Sequence, residues 1–99
     1  MYIIRDIFYL KFGHFREAKA LLEQAMQQDL LPKQTQTKRV LSDFTGKSYR
    51  LIFEEGYNSL AEYEKNLTEG MAAEAWQNWY AQFKTHIERG EREILKQVM

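Results

Sequence analysis

Thr37-Lys38-Arg39-Val40-Leu41-Ser42-Asp43-Phe44, then Thr45-Gly46-Lys47-Ser48, then Tyr49-Arg50-Leu51-Ile52-Phe53-Glu54-Glu55: two stretches carrying β-branched and aromatic residues flank a short link that contains glycine. Such stretches favour extended backbone, and glycine supplies the positive φ that a tight connection needs. Residues 37–44 and 49–55 are therefore predicted to be the two strands of a β-hairpin. In the second strand Tyr49, Leu51 and Phe53 alternate with Arg50, Ile52 and Glu54, which gives one apolar and one mixed face.

On the C-terminal side, Ser59-Leu60-Ala61-Glu62 has the form of a capping box, in which serine and glutamate satisfy each other's backbone N–H groups at a helix start. Leu60, Tyr63, Leu67 and Met71 then line one helical face. Gly70 is expected to break or bend this helix, which resumes with Ala72, Trp76, Trp79, Phe83 and Ile87 on one stripe and ends at Gly90. Arg92 to Val98 alternate as a short final strand. On the N-terminal side, residues 2–12 read as a strand stopping at Gly13, and residues 14–28 switch to helical spacing through Phe15, Ala18, Leu22, Ala25 and Met26. The polar stretch from Gln27 to Gln36, which holds the only proline, Pro32, reads as a loop. The order is β-α-β-β-α-β: an α+β, ferredoxin-like fold, with a four-stranded antiparallel sheet and both helices on one face. It is expected to form one domain over residues 1–99.

Composition narrows the partners. Of the 99 residues, 44% are hydrophobic and 14% aromatic, enough to build a core. Lys+Arg and Asp+Glu are 14 each, so the chain lacks the basic surface that neutralises phosphates, and no nucleic-acid partner is expected. There is no cysteine, which removes disulfides, thiol nucleophiles and thiolate metal sites. Arg5 and Asp6 interrupt the apolar start too early for a signal peptide, and no stretch approaches the ~20 apolar residues of a membrane span. A cytoplasmic location without membrane contact is the expectation.

Two helices cover only one face of such a sheet. The other would carry Ile7, Tyr9, Leu41 and Ile52 among Arg5, Arg39 and Arg50. Packing that mixed surface on its copy about a two-fold axis removes it from water, so a homodimer is expected.

Four segments carry a family resemblance: the strand end Leu10-Lys11-Phe12-Gly13, Phe53-Glu54-Glu55-Gly56-Tyr57, Asn58-Ser59-Leu60-Ala61-Glu62-Tyr63-Glu64, and Arg92-Glu93-Ile94-Leu95. Together they resemble the dimeric α/β-barrel superfamily, in its NIPSNAP-like branch and related small uncharacterised members. The likeness runs through nearly the whole chain in short motifs that specify fold better than function. It implies two sheets facing each other across a dimer, and in many members a ligand pocket between sheet and helices. The superfamily includes haem-degrading and cofactor-independent monooxygenases, lactone isomerases and ligand-sensing domains, so the fold does not choose among them. The family's first strand usually ends Lys-Pro-Gly. Here Phe12 replaces the proline in a strand one residue longer, and a β-bulge absorbing that residue would exchange the faces beyond it.

The candidate site residues follow from these placements. Asp6 shares its face with Ile4, Phe8 and Leu10, the side that the helices should cover. A carboxylate there is costly unless paired, and two readings stand: a functional acid in a pocket wall, or a partner of Arg5 or Arg92 at the sheet edge. Trp76, Trp79 and Tyr80 form with Phe83 an aromatic stripe that reads as core or as the wall of a pocket for a flat molecule. His14 and His86 are the only neutral-pH proton carriers; they lie in different elements without metal-ligand spacing and read as polar residues at element ends. Glu54-Glu55 and Glu91-Arg92-Glu93 read as surface charges. In the haem-degrading relatives the resemblance points to a tryptophan followed ten residues later by a histidine, a spacing that Trp76 and His86 share. Counting from Ser59, however, puts Asn66 and Trp76 at those two positions, and the haem ligand is missing. No cofactor and no metal are expected. The function expected is binding of a small flat or apolar molecule between sheet and second helix, by Asp6, Phe8, Trp76, Trp79 and Tyr80. The alternatives are a cofactor-independent monooxygenase or isomerase, with Asp6 and His86 as weak catalytic candidates, and a purely structural dimer.

Overall fold

The computed structural model describes residues 1–30, 35–46 and 49–99. The elements are β1 (Tyr2–Leu10), α1 (Phe15–Gln27), β2 (Thr37–Ser42), β3 (Arg50–Tyr57), α2 (Leu60–Ala72), α3 (Glu74–Phe83), a 3-10 turn (Lys84–His86) and β4 (Ile87–Lys96). The strands pair antiparallel in the order β2-β3-β1-β4. This is the ferredoxin-like α+β fold expected from the sequence.

Register fixes what each face carries. Along β1, Ile4 lies opposite Glu55 and Ile94, Asp6 opposite Phe53 and Arg92, and Phe8 opposite Leu51 and Gly90. These residues belong to the helix-covered face. Leu10, Leu51 and Phe53 pack there with Ala18, Leu22 and Ala25 of α1 and with Trp79 and Phe83 of α3. A smaller cluster joins Ile4, Tyr57 and Tyr63, against which Leu67 packs. The Trp79 indole N–H donates to the Leu21 carbonyl at 2.6 Å and ties α3 to α1. The exchange of faces that a bulge within β1 would bring does not occur. The irregularity falls between Tyr9 and Leu10, where β4 steps from Arg89 to Ile87 and Glu88 has no partner on β1. β1 keeps its alternation through Leu10, which is buried.

The hairpin is pinned by Asp43, whose carboxylate accepts from the Arg50 backbone N–H at 3.1 Å and from its guanidinium at 2.7 and 2.9 Å. Gly46 takes a positive φ of 100°; Lys47 and Ser48 of the expected link lie outside the described residues, as does Pro32. At α2 the Ser59 side chain accepts the Glu62 N–H at 3.2 Å, a cap worth about 1 kcal/mol.

Four expectations need correction. The first strand ends at Leu10 rather than residue 12: Lys11 still donates to the His86 carbonyl, but Phe12 points into solvent ahead of Gly13, where φ is 85°. The second strand of the hairpin runs on to Tyr57, beyond residue 55. The helix does not break at Gly70. It breaks at Ala73, whose extended backbone (φ −73°, ψ 130°) ends α2 and starts α3. Alanine is the best helix former, so local propensity does not select that position. Packing does: the change of direction brings Trp79 and Phe83 onto the core, while the Gln77 amide donates to the Met71 carbonyl at the end of α2. Finally, the second helical segment ends at Phe83, not at Gly90, and β4 begins at Ile87 instead of residue 92. Ile87 continues the helical spacing, but its place opposite Leu10 on β1 outweighs that local signal.

Candidate functional site

The bend at Ala73 leaves a cavity of about 310 Å³ between the sheet and the α2–α3 pair. That is the lower end of the range of small-molecule pockets, ~300–1,000 Å³. Its sheet wall comes from Asp6 and Phe8 on β1, Phe53 and Glu55 on β3, and Arg92 on β4. Asn66, Leu67, Gly70 and Met71 of α2 and Trp76, Trp79, Tyr80 and Phe83 of α3 close it, with Leu22 and Leu30 at one end. Phe53, Trp79 and Phe83 are buried, whereas Met71 and Tyr80 are exposed, so the outer rim lies at the α2–α3 junction. Trp76 stacks on Tyr80 with ring centres 4.9 Å apart and planes within 8°, and Trp79 stacks on Phe83 at 4.7 Å. These are parallel flat surfaces at the side of an apolar space.

The structure thus brings Asp6, Phe8, Trp76, Trp79 and Tyr80 around one cavity, the first two from the sheet and the last three from α3. Asp6 is not alone there. Its Oδ1 accepts from Arg92 Nε at 2.6 Å, the pairing that the sequence offered as one of its two readings. Burial works against the Arg92 charge, but the hydrogen bond and charge of Asp6 outweigh it and raise the guanidinium further above its ordinary value. Glu91, Arg92 and Glu93 are exposed, as surface charges should be, but Arg92 is at the same time engaged by Asp6.

Glu54-Glu55 is the larger correction, since both residues are 4% exposed. Glu54 faces away from the helices and accepts from Arg39 at 2.8 Å and Arg5 at 3.1 Å; burial pushes its carboxyl up, but these two guanidinium groups outweigh that and hold it below the usual range. Glu55 faces the cavity. Its Oε2 accepts from the Tyr57 hydroxyl, which also has a hydrogen bond with the Asn66 side chain. Burial pushes the Glu55 carboxyl up despite the Tyr57 hydrogen bond and the charges of Lys38 and Arg92. Burial and the neighbouring Glu55 push the Tyr57 hydroxyl far above its ordinary range. Close by, the Tyr63 hydroxyl is buried without a hydrogen-bond partner among the described residues. The site thus has one carboxyl paired with Arg92 and one that burial biases toward its neutral form, both in a largely apolar wall. Two glutamates in succession match no motif that marks such a site. Strand alternation necessarily sends one of them to each face, and that was the available clue.

His86, the other weak catalytic candidate, is not in the cavity wall. Its Nδ1 lies 2.9 Å from Nδ1 of His14, so one ring donates and the other accepts. The structure brings together two residues that the sequence placed in unrelated elements, but does so at the start of α1. Among the described residues no group of three or more His, Asp or Glu side chains could hold a metal ion. No helix among them is long and apolar enough to cross a membrane. A second hollow of about 290 Å³ lies between α1 and β2, edged by Lys19 and Glu23; these two are exposed and paired at 3.6 Å, so it lacks a buried polar group.

No family model matches the sequence, and no curated protein matches it. Solved structures do. Protein Atu4242 from Agrobacterium tumefaciens superposes with a TM-score of 0.86 at 16% identity, over 97% of this chain and 92% of that one. An uncharacterised NIPSNAP domain protein from Burkholderia xenovorans gives 0.83 at 15% identity, over 99% and 95%. A chain described as an antibiotic biosynthesis monooxygenase gives 0.75 at 13% identity, over the full length of both. The structural neighbours are thus NIPSNAP-family proteins and monooxygenase-type ferredoxin-like folds, and at these identities the likeness is one of fold.

Proposed function

We propose that this protein binds a small flat molecule in the cavity beneath α2 and α3. The observation that carries the reading is the pairing of stacked aromatic walls with a few convergent polar groups, Asp6, Arg92 and Glu55, in one apolar space. A finished core would fill that volume with side chains and would not keep carboxyl groups in its wall. The chain's two tryptophans both line it, so their indole N–H signals report occupancy. Titration of ¹⁵N-labelled protein with 2-methoxynaphthalene is expected to shift both signals saturably, and Trp76→Ala to weaken the effect. Indole signals that stay still at millimolar concentration would defeat the reading.

The working unit is proposed to be a homodimer packed through the open sheet face. Ile52, Leu41 and Leu95 are incompletely covered there, around the Arg5–Glu54–Arg39 ion pairs. Light scattering at micromolar concentration is expected to give twice the chain mass, and Ile52→Glu to halve it; a monomeric unmutated protein would contradict this.

A further inference from the structure

We infer that Glu55 selects the ligand, and that the ligand is an uncharged planar molecule presenting a hydroxyl group to this carboxyl. The inference rests on the cavity being the ligand site. Among the polar groups of the wall, Asp6 and Arg92 engage each other at 2.6 Å, and Asn66 bonds the Tyr57 hydroxyl. Glu55 uses Oε2 for that same hydroxyl. A carboxyl group offers two oxygens and about four lone-pair sites, so Glu55 keeps acceptor capacity in a wall that is otherwise largely apolar.

Charge narrows the class further. A carboxylate ligand would bring a further negative charge beside Asp6 and Glu55, against one guanidinium that Asp6 already holds. A cationic ligand would be drawn to the aromatic faces but needs an ionised Glu55, and burial works against that ionisation. A hydroxyl pairs with Glu55 in either protonation state, donating to the carboxylate or accepting from the protonated acid, and adds no charge to the cavity. The stacked pairs Trp76–Tyr80 and Trp79–Phe83 then favour a planar body.

Three probes of one shape test this: 2-naphthol, 2-methoxynaphthalene, which cannot donate, and 2-naphthoate, which is anionic. Dissociation constants come from the two indole N–H signals. Expected is about tenfold tighter binding of 2-naphthol than of 2-methoxynaphthalene, the size of one buried hydrogen bond to a group of this kind; 2-naphthoate should be weakest. Glu55→Leu should bring the naphthol and methoxynaphthalene constants together while the latter is retained. Glu55→Gln keeps size and one acceptor oxygen, guards against a leucine variant that fails to fold, and should reduce the preference severalfold. Equal binding of the two neutral probes by the unmutated protein, or a preference unchanged in either variant, overturns the role of Glu55 and leaves the cavity as a binding site. Tightest binding of 2-naphthoate overturns it in favour of Arg92. Silence of the indoles toward all three defeats the cavity reading itself.

Discussion

Glu54 and Glu55 are chain neighbours on β3, are equally buried, and face opposite sides of one sheet. Glu54 sits between two guanidinium groups, and its carboxyl is held below the ordinary range. Glu55 has a phenol as its hydrogen-bond partner, and its carboxyl is pushed up. Burial alone therefore does not distinguish a structural acid from a candidate site acid. The partners do. Where arginines face a carboxylate it organises a surface, and where aromatic rings and a cavity face it the carboxyl is left with capacity for something else.

Removing each acid in turn should separate the two roles. The largest effect is expected at Glu54. Glu54→Leu leaves Arg5 and Arg39 without their shared partner, and urea unfolding should show a loss of about 2 kcal/mol. That is below the 3–5 of a fully buried pair because Arg39 is largely exposed. A variant as stable as the parent would make the open face's ion pairs decorative.

Asp6→Leu comes next, with an expected loss of about 1–2 kcal/mol, because Arg92, 45% exposed, would lose the charge-assisted hydrogen bond to its carboxylate. A rise in melting temperature would mean instead that Asp6 is an unpaired acid held at a cost for function.

Glu55→Gln should have the smallest effect and the opposite sign. A buried acid whose folded-state value is raised binds its proton more tightly when folded. Its contribution is then favourable at low pH and is lost as pH rises from the ordinary value of 4.5 through the raised one. At pH 7 the glutamine variant should be more stable by about 1 kcal/mol, since it removes the cost of a buried charge. It should also lose the decline in stability above pH 4.5. For Glu54 the sign reverses: its contribution is present above 4.5 and is lost as pH falls through its lowered value.

Much of the architecture could be read from periodicity. The alternation of Leu51 and Phe53 with Ile52 and Glu54, and the Ser59 cap, put β3 and α2 where they are. What local pattern could not show was the outcome of competition between elements. Ile87 fits a helical stripe and a strand equally well, and only the presence of β1 beside it decides. Ala73 is a poor breaker, and only the docking of Trp79 explains the bend that makes the cavity. The aromatic half of the candidate site was legible because helical spacing gathers Trp76, Trp79 and Tyr80. Of the acidic half, Asp6 was legible from strand alternation, with Arg92 among its offered partners, but Glu55 was not, since its burial against Tyr57 and Asn66 follows from how β3 and α2 pack and not from any local pattern.

The division between the two glutamates can be measured directly by following both side-chain carboxyl carbons in one ¹³C NMR pH titration, with Glu54→Gln and Glu55→Gln assigning the signals. Glu54 is expected to titrate below the ordinary glutamate value of 4.5 and Glu55 above it. Coincident titrations, or Glu55 titrating below Glu54, would contradict the separation of a structural face from a ligand-binding one.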